Sequence, residues 1–522
     1  MSRLRRAAKA TIIAQCFNWT SLLLSLVTVP LYLSWLGEER YGLLLTGIAI
    51  AGYLMFSDAG ITWASMLLIA EANGRNDRPG VAAVFRTSFP FATLSSLAVV
   101  VVVAASVLLL ERNGSVSWLP HHPEFPGLLV AIGGSVLANL VFSPFYNLFI
   151  GLQETHIAAT YQGSGRLAGT IAAVFIASTG APLGWVYGGN VAGVLIVGVL
   201  AAVHCRKRHP WAFRRGPLWE PGQVRRQFRA GVSSLFMQSG TVFLATAPVL
   251  ATSLGAGPQI VPYLSIPLTL LNAPLGILSN FSASLQSGYG EAMGRGESGW
   301  VAATVNLILR QVFVLLGLLG CGWFLLAGDF VEVWTNGRIE LSPAMLANAL
   351  IIAGSGAVIT TMRYALTGIN RHRRAAIGEL IGGILALVTG ILTVRSFGFS
   401  WVGLANLSAV LLVTGWLFPL ELKRALGGNG ILPKATFWLS LGVTTAVSFG
   451  AGWGAKFAMT SLPVWLMIPV TGTVVTVVFL FLASRVLREE IALVTRLVSF
   501  RLRPPSEPSP SSRHPAPHEP EE

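Results

Sequence analysis

One thirteen-residue segment of this chain occurs twice. Residues 71–83 (EANGRNDRPGVAA) return as residues 291–303 (EAMGRGESGWVAA), with seven identities at an offset of 220. Three further echoes are collinear with it. Pro30 followed by Leu36 and Gly37 returns as Pro248 followed by Leu254 and Gly255. Gly151-Leu152-Gln153 with Ala158-Ala159 returns as Gly368-Ile369-Asn370 with Ala375-Ala376, and Trp185-Val186 with Asn190 returns as Trp401-Val402 with Asn406. The chain is therefore a duplicated unit of roughly two hundred residues, long enough to be a folding unit and not a short solenoid repeat. Whatever fold one copy takes the other must take too, and the two must pack as a pair.

Composition decides the solvent of that pair. Hydrophobic residues make up 53% of the chain and charged residues only 11%, against about 25% charged in a soluble domain. So much apolar surface is covered only in lipid. Continuous apolar stretches long enough to cross about 30 Å of hydrocarbon as helix fall at 11–35, 41–70, 86–110, 126–150, 159–180, 184–203, 231–253, 258–287, 302–327, 343–368, 375–395, 400–420, 435–459 and 463–484. The expected fold is all-α and integral to the membrane, with about 14 transmembrane helices. Barrel strands would alternate in polarity over ten-residue segments, and these runs do not.

The net charge of +14 would fit a nucleic-acid binder, but its distribution fits a membrane protein. With the amino terminus inside, the segments on that side collect 29 Lys and Arg, and the opposite side holds five: Arg40, Arg112, Arg338, Arg395 and Lys456. That asymmetry is the positive-inside pattern. It places both termini in the cytoplasm and the basic loops against anionic headgroups, so no nucleic acid is needed. Cys16, Cys205 and Cys321 have no plausible mutual partner, and the eight histidines lie in loops or the tail. No disulfide framework, metal site or cofactor is expected.

Six helices per copy is an even number, so both copies share one membrane orientation and are related by a pseudo-twofold axis along the membrane normal, an arrangement common in transporters. The expected organisation is a six-helix lobe over 1–203, a basic cytoplasmic linker over 204–230, a second six-helix lobe over 231–420 and two additional helices over 421–484. A cytoplasmic tail follows at 485–522, disordered after about 501, where Pro, Ser and Glu dominate. Pro262, Pro267 and Pro274 share the eighth helix with Asn272, Asn280 and Gln286. Proline frees backbone groups that a membrane tolerates beside protein or a watery cavity, so this helix is expected to bend and to line a cavity with those three polar residues.

The stretch Pro30–Gly42 (PLYLSWLGEERYG), with Tyr53-Leu54 and Ser57-Asp58-Ala59-Gly60 after it, resembles the start of Wzx-type polysaccharide flippases. That family shares a superfamily with multidrug-and-toxin extrusion antiporters and lipid II flippases. The acidic-basic loop after helix two and the Gly-x-Gln/Asn after helices four and ten are similar as well. The resemblance runs from residue 1 to about 484. It implies a V-shaped pair of six-helix bundles in the bacterial inner membrane that moves undecaprenyl-diphosphate-linked oligosaccharide to the outer leaflet. It implies no enzymatic step and no cofactor, and it allows polysaccharide polymerase partners and a coupling proton or sodium ion. Helix one carries no basic residue between Lys9 and Arg40, a departure from the lipid II branch. Gly74-x-x-Asp77-Arg78-x-Gly80 is similar to a loop of the major facilitator superfamily, so small-molecule antiport is an alternative. A membrane glycosyltransferase or polymerase is a more distant one, because external loops hold only scattered charges.

Flipping such a lipid requires cations for the diphosphate inside the membrane, where an ionisable residue is costly and therefore informative. Arg310, Arg363 and Arg166 each lie about 8–12 Å of helix from the basic ends, and Arg86 lies at the mouth of helix three. They are the candidate diphosphate ligands, since a guanidinium donates paired hydrogen bonds. Snorkelling of the long side chain is the alternative for each, and Glu379 is placed to pair with Arg363. Asp58, mid-membrane and without an acidic counterpart in the second copy, is the candidate for coupling or gating. Glu71, Arg75, Glu291 and Arg295, repeated in the two copies, are expected to pair at a cytoplasmic gate.

Overall fold

A computed structural model describes residues 3–55, 60–113, 122–213, 216–217, 220–428, 431–459 and 461–486. These residues are helical from end to end, with no strand among them. The helices of the first copy are α1 (Arg3–Leu54), α2 (Ile61–Gly74), α3 (Arg78–Asn113), α4 (Phe125–Gly151), α5 (Thr155–Ser178) and α6 (Leu183–Arg208). The second copy supplies α7 (Pro221–Ala256), α8 (Val261–Ser284), α9 (Gln286–Gly294), α10 (Ser298–Trp334), α11 (Pro343–Gly368), α12 (Arg373–Phe397), α13 (Val402–Ala409) and α14 (Gly415–Ala425). The hairpin α15 (Ala435–Ala458) and α16 (Val464–Val486) packs on α10.

Eleven helical segments of the described residues are long and apolar enough to span a membrane, where the sequence leads to about fourteen. The difference has three sources. Expected helices one and two count as a single segment, Gln15–Leu54, because helix resumes immediately after a break at Gly37. The other two are α5 and α15, 24 residues each, long enough at about 1.5 Å per residue but interrupted by Arg, His, Ser, Thr and Gly. A further departure is that expected helix two, 41–70, is not continuous: helix stops at Leu54 and resumes at Ile61, after Gly60 at φ +71°. Asp58 sits in that interval, outside the described residues.

The duplication reappears in backbone geometry. The Arg75 amide bonds to the carbonyls of Glu71 and Ala72, and the Asp77 amide to Ala72. Arg295 and Glu297 make the same bonds to Glu291 and Ala292. Gln153 at φ +64° and Asn370 at φ +56° close α4 and α11 by one left-handed residue each. Gly37 (φ +75°, ψ +175°) breaks α1 internally and Gly257 (φ +96°, ψ +159°) ends α7, both in a region open to glycine almost alone. The echo in sequence aligns Gly37 with Gly255, yet α7 continues through Ala256 and breaks two residues later.

The linker is shorter than 204–230. The α6 helix continues to Arg208, where the Arg206-Lys207-Arg208 run suits the negative end of the helix dipole. The α7 helix begins at Pro221, whose missing N–H costs nothing in a first turn. Only residues 209–220 connect them, and the arginines at 225, 226 and 229 belong to α7.

Successive spans reverse direction, so the helix ends at Gly74, Gly151, Arg208, Gly294 and Gly368 share one side, here the basic face, and the turns at Gly37, Gly180, Gly257 and Gly398 share the opposite face. The copies touch at both. At the opposite face one core holds Leu33, Leu43, Leu128 and Ile132 of the first copy together with Ile266, Val331 and Ile339 of the second. There the Thr46 and Ser253 hydroxyls bond at 2.9 Å, Tyr263 donates to Glu38 at 3.1 Å, and the Trp334 indole donates to the Leu26 carbonyl at 2.7 Å. At the basic face the Gln227 amide, fully buried, donates to the Val84 carbonyl at 2.9 Å, and Arg226 meets Glu71 at 2.6 Å. The seam between the two copies is thus closed at the basic face as well.

Candidate functional site

The second copy holds a partly open cavity of about 280 Å³, with several polar side chains in its walls, between α7, α8, α11, α12 and α13. Leu268, Asn272, Leu275, Gly276 and Ser279 of α8 line one wall, which is one face of a helix read at intervals of three and four. Pro267 and Pro274 lie inside that helix. Of the three polar residues expected there, Asn272 lines the cavity and Asn280 and Gln286 do not. Asn280 is one residue beyond Ser279, about 100° round the helix. Gln286 lies past the end of α8 at Ser284 and starts the separate helix α9.

The far wall carries the charge. Glu379 is 2% exposed, and its carboxylate shares the wall with Thr241 and Asn406. Its position follows from a close crossing of α7 and α12. A Cβ on Gly240 would come within 2.7 Å of the Leu380 amide nitrogen, and one on Gly383 within 2.9 Å of the Leu244 nitrogen. Only glycine allows backbones so near. That contact brings Thr241 beside Glu379, and the Arg363 guanidinium of α11 donates to the Thr241 hydroxyl. Arg363 Nε stands 3.9 Å from Glu379 Oε1, a loose ion pair at the upper end of contact distance.

Two acceptors remain open in this wall. Glu379 Oε2 and Asn406 Oδ1 are buried and have no hydrogen-bond partner among the described residues. A buried acceptor left unmade costs about 1–3 kcal/mol, more when charged. A carboxylate oxygen and an amide oxygen facing the same space can receive a proton or coordinate a small cation through hard oxygen donors. No group of three or more His, Cys, Asp or Glu is placed to hold a metal ion among the described residues.

The four arginines singled out from the sequence have separate surroundings. Arg363 belongs to the cavity wall, with its guanidinium also 5.1 Å from the Tyr364 ring centroid. Arg310 is half-buried on α10 and lies 5.1 Å from the ring centroid of Phe437 on α15. Arg166 is exposed on α5. Arg86 on α3 lies against the linker, where a Cβ at Gly216 would sit 2.7 Å from its guanidinium carbon.

At the basic face the two repeated carboxylates behave differently. Glu71 binds both Arg75 and Arg226, each at 2.6 Å, and so ties α2 to α7. Glu291 binds Arg295 at 2.5 Å within its own turn, both side chains 65% exposed. A third polar cluster was not legible from motifs. Glu154 accepts two bonds from Arg208 Nε and Nη2 at 3.0 and 2.8 Å, and pairs with His209 at 2.9 Å. Burial alone would raise the Glu154 pKa, but the hydrogen bonds and charges of His209 and Arg208 win and hold it at about 2. These residues, with Asn73, Asn76, Arg78 and Trp211, surround a hollow of about 390 Å³.

Residues 7–285 match the model of a family described as polysaccharide biosynthesis protein. No curated protein matches the chain. Among solved structures it is similar to the lipid II flippase MurJ in an inward closed conformation, with a TM-score of 0.67 and 14% identity over 92% of this chain and 100% of that one. It is also similar to a multidrug resistance MATE family transporter of the MOP superfamily. The inward-facing form gives a TM-score of 0.55 at 14% identity, over 81% of this chain and 99% of that one. The outward-facing form gives 0.56 at 13% identity, over 82% and 97%. At such identities the likeness is one of fold.

Proposed function

This chain belongs to the polysaccharide biosynthesis protein family, and from that premise we propose that it flips an undecaprenyl-diphosphate-linked oligosaccharide across the bacterial inner membrane. The positive-inside pattern makes the basic face cytoplasmic, with both termini on that side. The lobes, taken as 1–203 and 231–420, rock about their seams, and the helices over 421–484 stand outside the repeat. The observation that carries the reading is the seam itself. The two copies meet at each face through separate contacts, Arg226–Glu71 and Gln227–Val84 on one side, a shared apolar core with Thr46–Ser253 and Tyr263–Glu38 on the other. Either set can part while the other holds, as alternating access demands.

Arg310, Arg166, Arg363 and Arg86 are the residues offered to the diphosphate, and no covalent chemistry is assigned to any group. The coupling ion, a proton or sodium, is received at Glu379 and Asn406, whose open acceptors need such a partner. Asp58 is the second coupling candidate. Rescue of polysaccharide export in a flippase-null strain tests the reading: the wild-type chain restores export. Glu379→Gln, which keeps shape and fixes the charge at zero, lowers export and removes its dependence on the ion gradient. Asp58→Asn is measured alongside. A chain that fails to restore export but lowers drug susceptibility would be a small-molecule antiporter, the second reading, supported by the fold it shares with MATE transporters.

A further inference from the structure

The basic face holds a concave feature that the transport reading does not use. Where the start of α7 crosses the end of α2, Leu68, Gly222, Arg225, Arg226, Arg229 and Ala230 line a hollow of about 580 Å³. The three arginines are exposed. Arg226 is engaged by Glu71. Arg225 and Arg229 have no hydrogen bond or ion pair among the described residues. They lie one helical turn apart, where like charges repel, so an anion placed between them is favoured. Leu67 and Phe228, next in sequence to the lining residues, are 49% and 51% exposed. Cations and bare apolar side chains together fit the head of a lipid better than a soluble anion.

A second observation is independent of the hollow. Arg5, Arg6 and Lys9 stand 220 residues before Arg225, Arg226 and Arg229, the offset that also relates Glu71 to Glu291. Each triad lies in the first turns of its copy's first helix, α1 or α7. Both copies thus carry three basic residues at the same sequence register.

We propose that Arg225, Arg226 and Arg229 form a receiving site for the phosphate-bearing headgroup of a lipid, and that an occupied site draws Arg226 away from Glu71. A guanidinium binds phosphate through paired, charge-assisted hydrogen bonds, and a phosphate offers Arg226 what the Glu71 carboxylate offers it now. Loading the site therefore loosens the α2–α7 seam. The headgroup is either the diphosphate of the polyprenyl cargo, a choice that rests on the flippase reading, or that of an anionic phospholipid, which does not.

Binding to the full chain in detergent micelles tests this, with native mass spectrometry as the readout. The probes are farnesyl diphosphate, phosphatidylglycerol and, as a control, phosphatidylcholine. Arg225→Gln/Arg229→Gln weakens binding of the preferred anionic probe by roughly thirtyfold, the effect of two arginines beside an anionic surface. Glu71→Gln releases Arg226 and tightens binding about fivefold, which loss of a structural pair alone would not do. Farnesyl diphosphate displacing phosphatidylglycerol identifies the cargo as the occupant, and the reverse identifies the bulk lipid. Binding of both anionic probes unchanged in the double variant, or equal affinity for phosphatidylcholine, overturns the site. A wild-type chain that restores no export but binds headgroups through the triad would end the flippase reading and leave the site standing.

Discussion

Glu379 and Arg363 show how a buried charge is held when its pair is imperfect. At 3.9 Å the attraction is weaker than in direct contact, and Thr241 occupies one guanidinium nitrogen. Breaking a buried pair by removing one partner costs about 3–5 kcal/mol, because the other is left uncompensated. Arg363→Ala is therefore expected to lower the unfolding midpoint of the purified protein clearly. Adding Glu379→Gln to it restores most of the loss, since a neutral amide needs no counter-charge. If the double variant is no more stable than Arg363→Ala, the two side chains are not coupled and the cavity wall owes nothing to their pairing. Arg310 makes a contrasting case. Its guanidinium lies over Phe437, so Phe437→Leu removes about 1 kcal/mol of cation–π attraction without touching the charge, while Arg310→Ala removes both. Export that falls only in Arg310→Ala marks the charge as the functional part.

At the scale of elements, two glycines do different work and their replacements separate the causes. Gly37 has nothing within 4 Å of a built Cβ, yet its φ of +75° with ψ +175° is strained for any L side chain. Gly37→Ala is expected to cost about 1–3 kcal/mol through backbone strain alone. Gly240 sits in helix with ordinary angles, and its replacement by Ala meets the α12 backbone at 2.7 Å. Gly240→Ala therefore pushes α7 from α12, opens the cavity wall and changes export more than Gly37→Ala at equal loss of unfolding midpoint. The Glu154 cluster fixes the linker to the first lobe and brings a pH dependence. Its pKa in the folded protein, about 2, lies below the ordinary 4.5. Its contribution is complete above the ordinary value and fades as pH falls from about 4.5 toward 2. Proteolysis within 209–220 should rise across that window, and Glu154→Gln should make it fast at every pH, with about 2 kcal/mol of docking lost.

Much of this architecture was legible in the chain. The repeat, the lipid solvent and a cavity-lining α8 follow from the sequence, and Asn272 lines that cavity as expected. The limits are equally physical. A helix break at Gly37 is written in the sequence, but that helix resumes at once and merges two spans is a property of packing. The two-residue delay of the break in α7 to Gly257 is set by its seat on α1, where a Cβ at Gly42 would overlap the Pro258 carbonyl. Asn406 was visible only as an echo of Asn190. Its open carbonyl oxygen depends on helices far apart in the chain meeting at one wall, which no local pattern encodes.

For the whole molecule, the seam at the opposite face is the part that must yield if the lobes rock. Thr46 and Ser253 face each other there, their hydroxyls 2.9 Å apart and both residues buried. A disulfide needs its sulfur atoms about 2 Å apart, close enough to the present spacing for Thr46→Cys/Ser253→Cys to crosslink on oxidation. Of the native thiols Cys205 and Cys321 are buried and Cys16 is exposed, so Cys16→Ser is included to remove a competing partner. The crosslink joins residues of the two copies across the face proposed to be external. Under alternating access it traps the protein closed on that side, and export stops while abundance and unfolding midpoint hold or rise. Reductant should restore export within the time of disulfide reduction. The basic-face seam gives the counterpart: Glu71→Gln weakens closure on that side, and the ratio of labelling at a cysteine introduced for Gly231 should rise with it, since a Cβ at Gly60 would come within 2.5 Å of the Gly231 carbonyl in the closed seam. Full export through a quantitatively crosslinked outer seam would show that this face never parts, and rocking of the two copies would have to be given up as the mechanism.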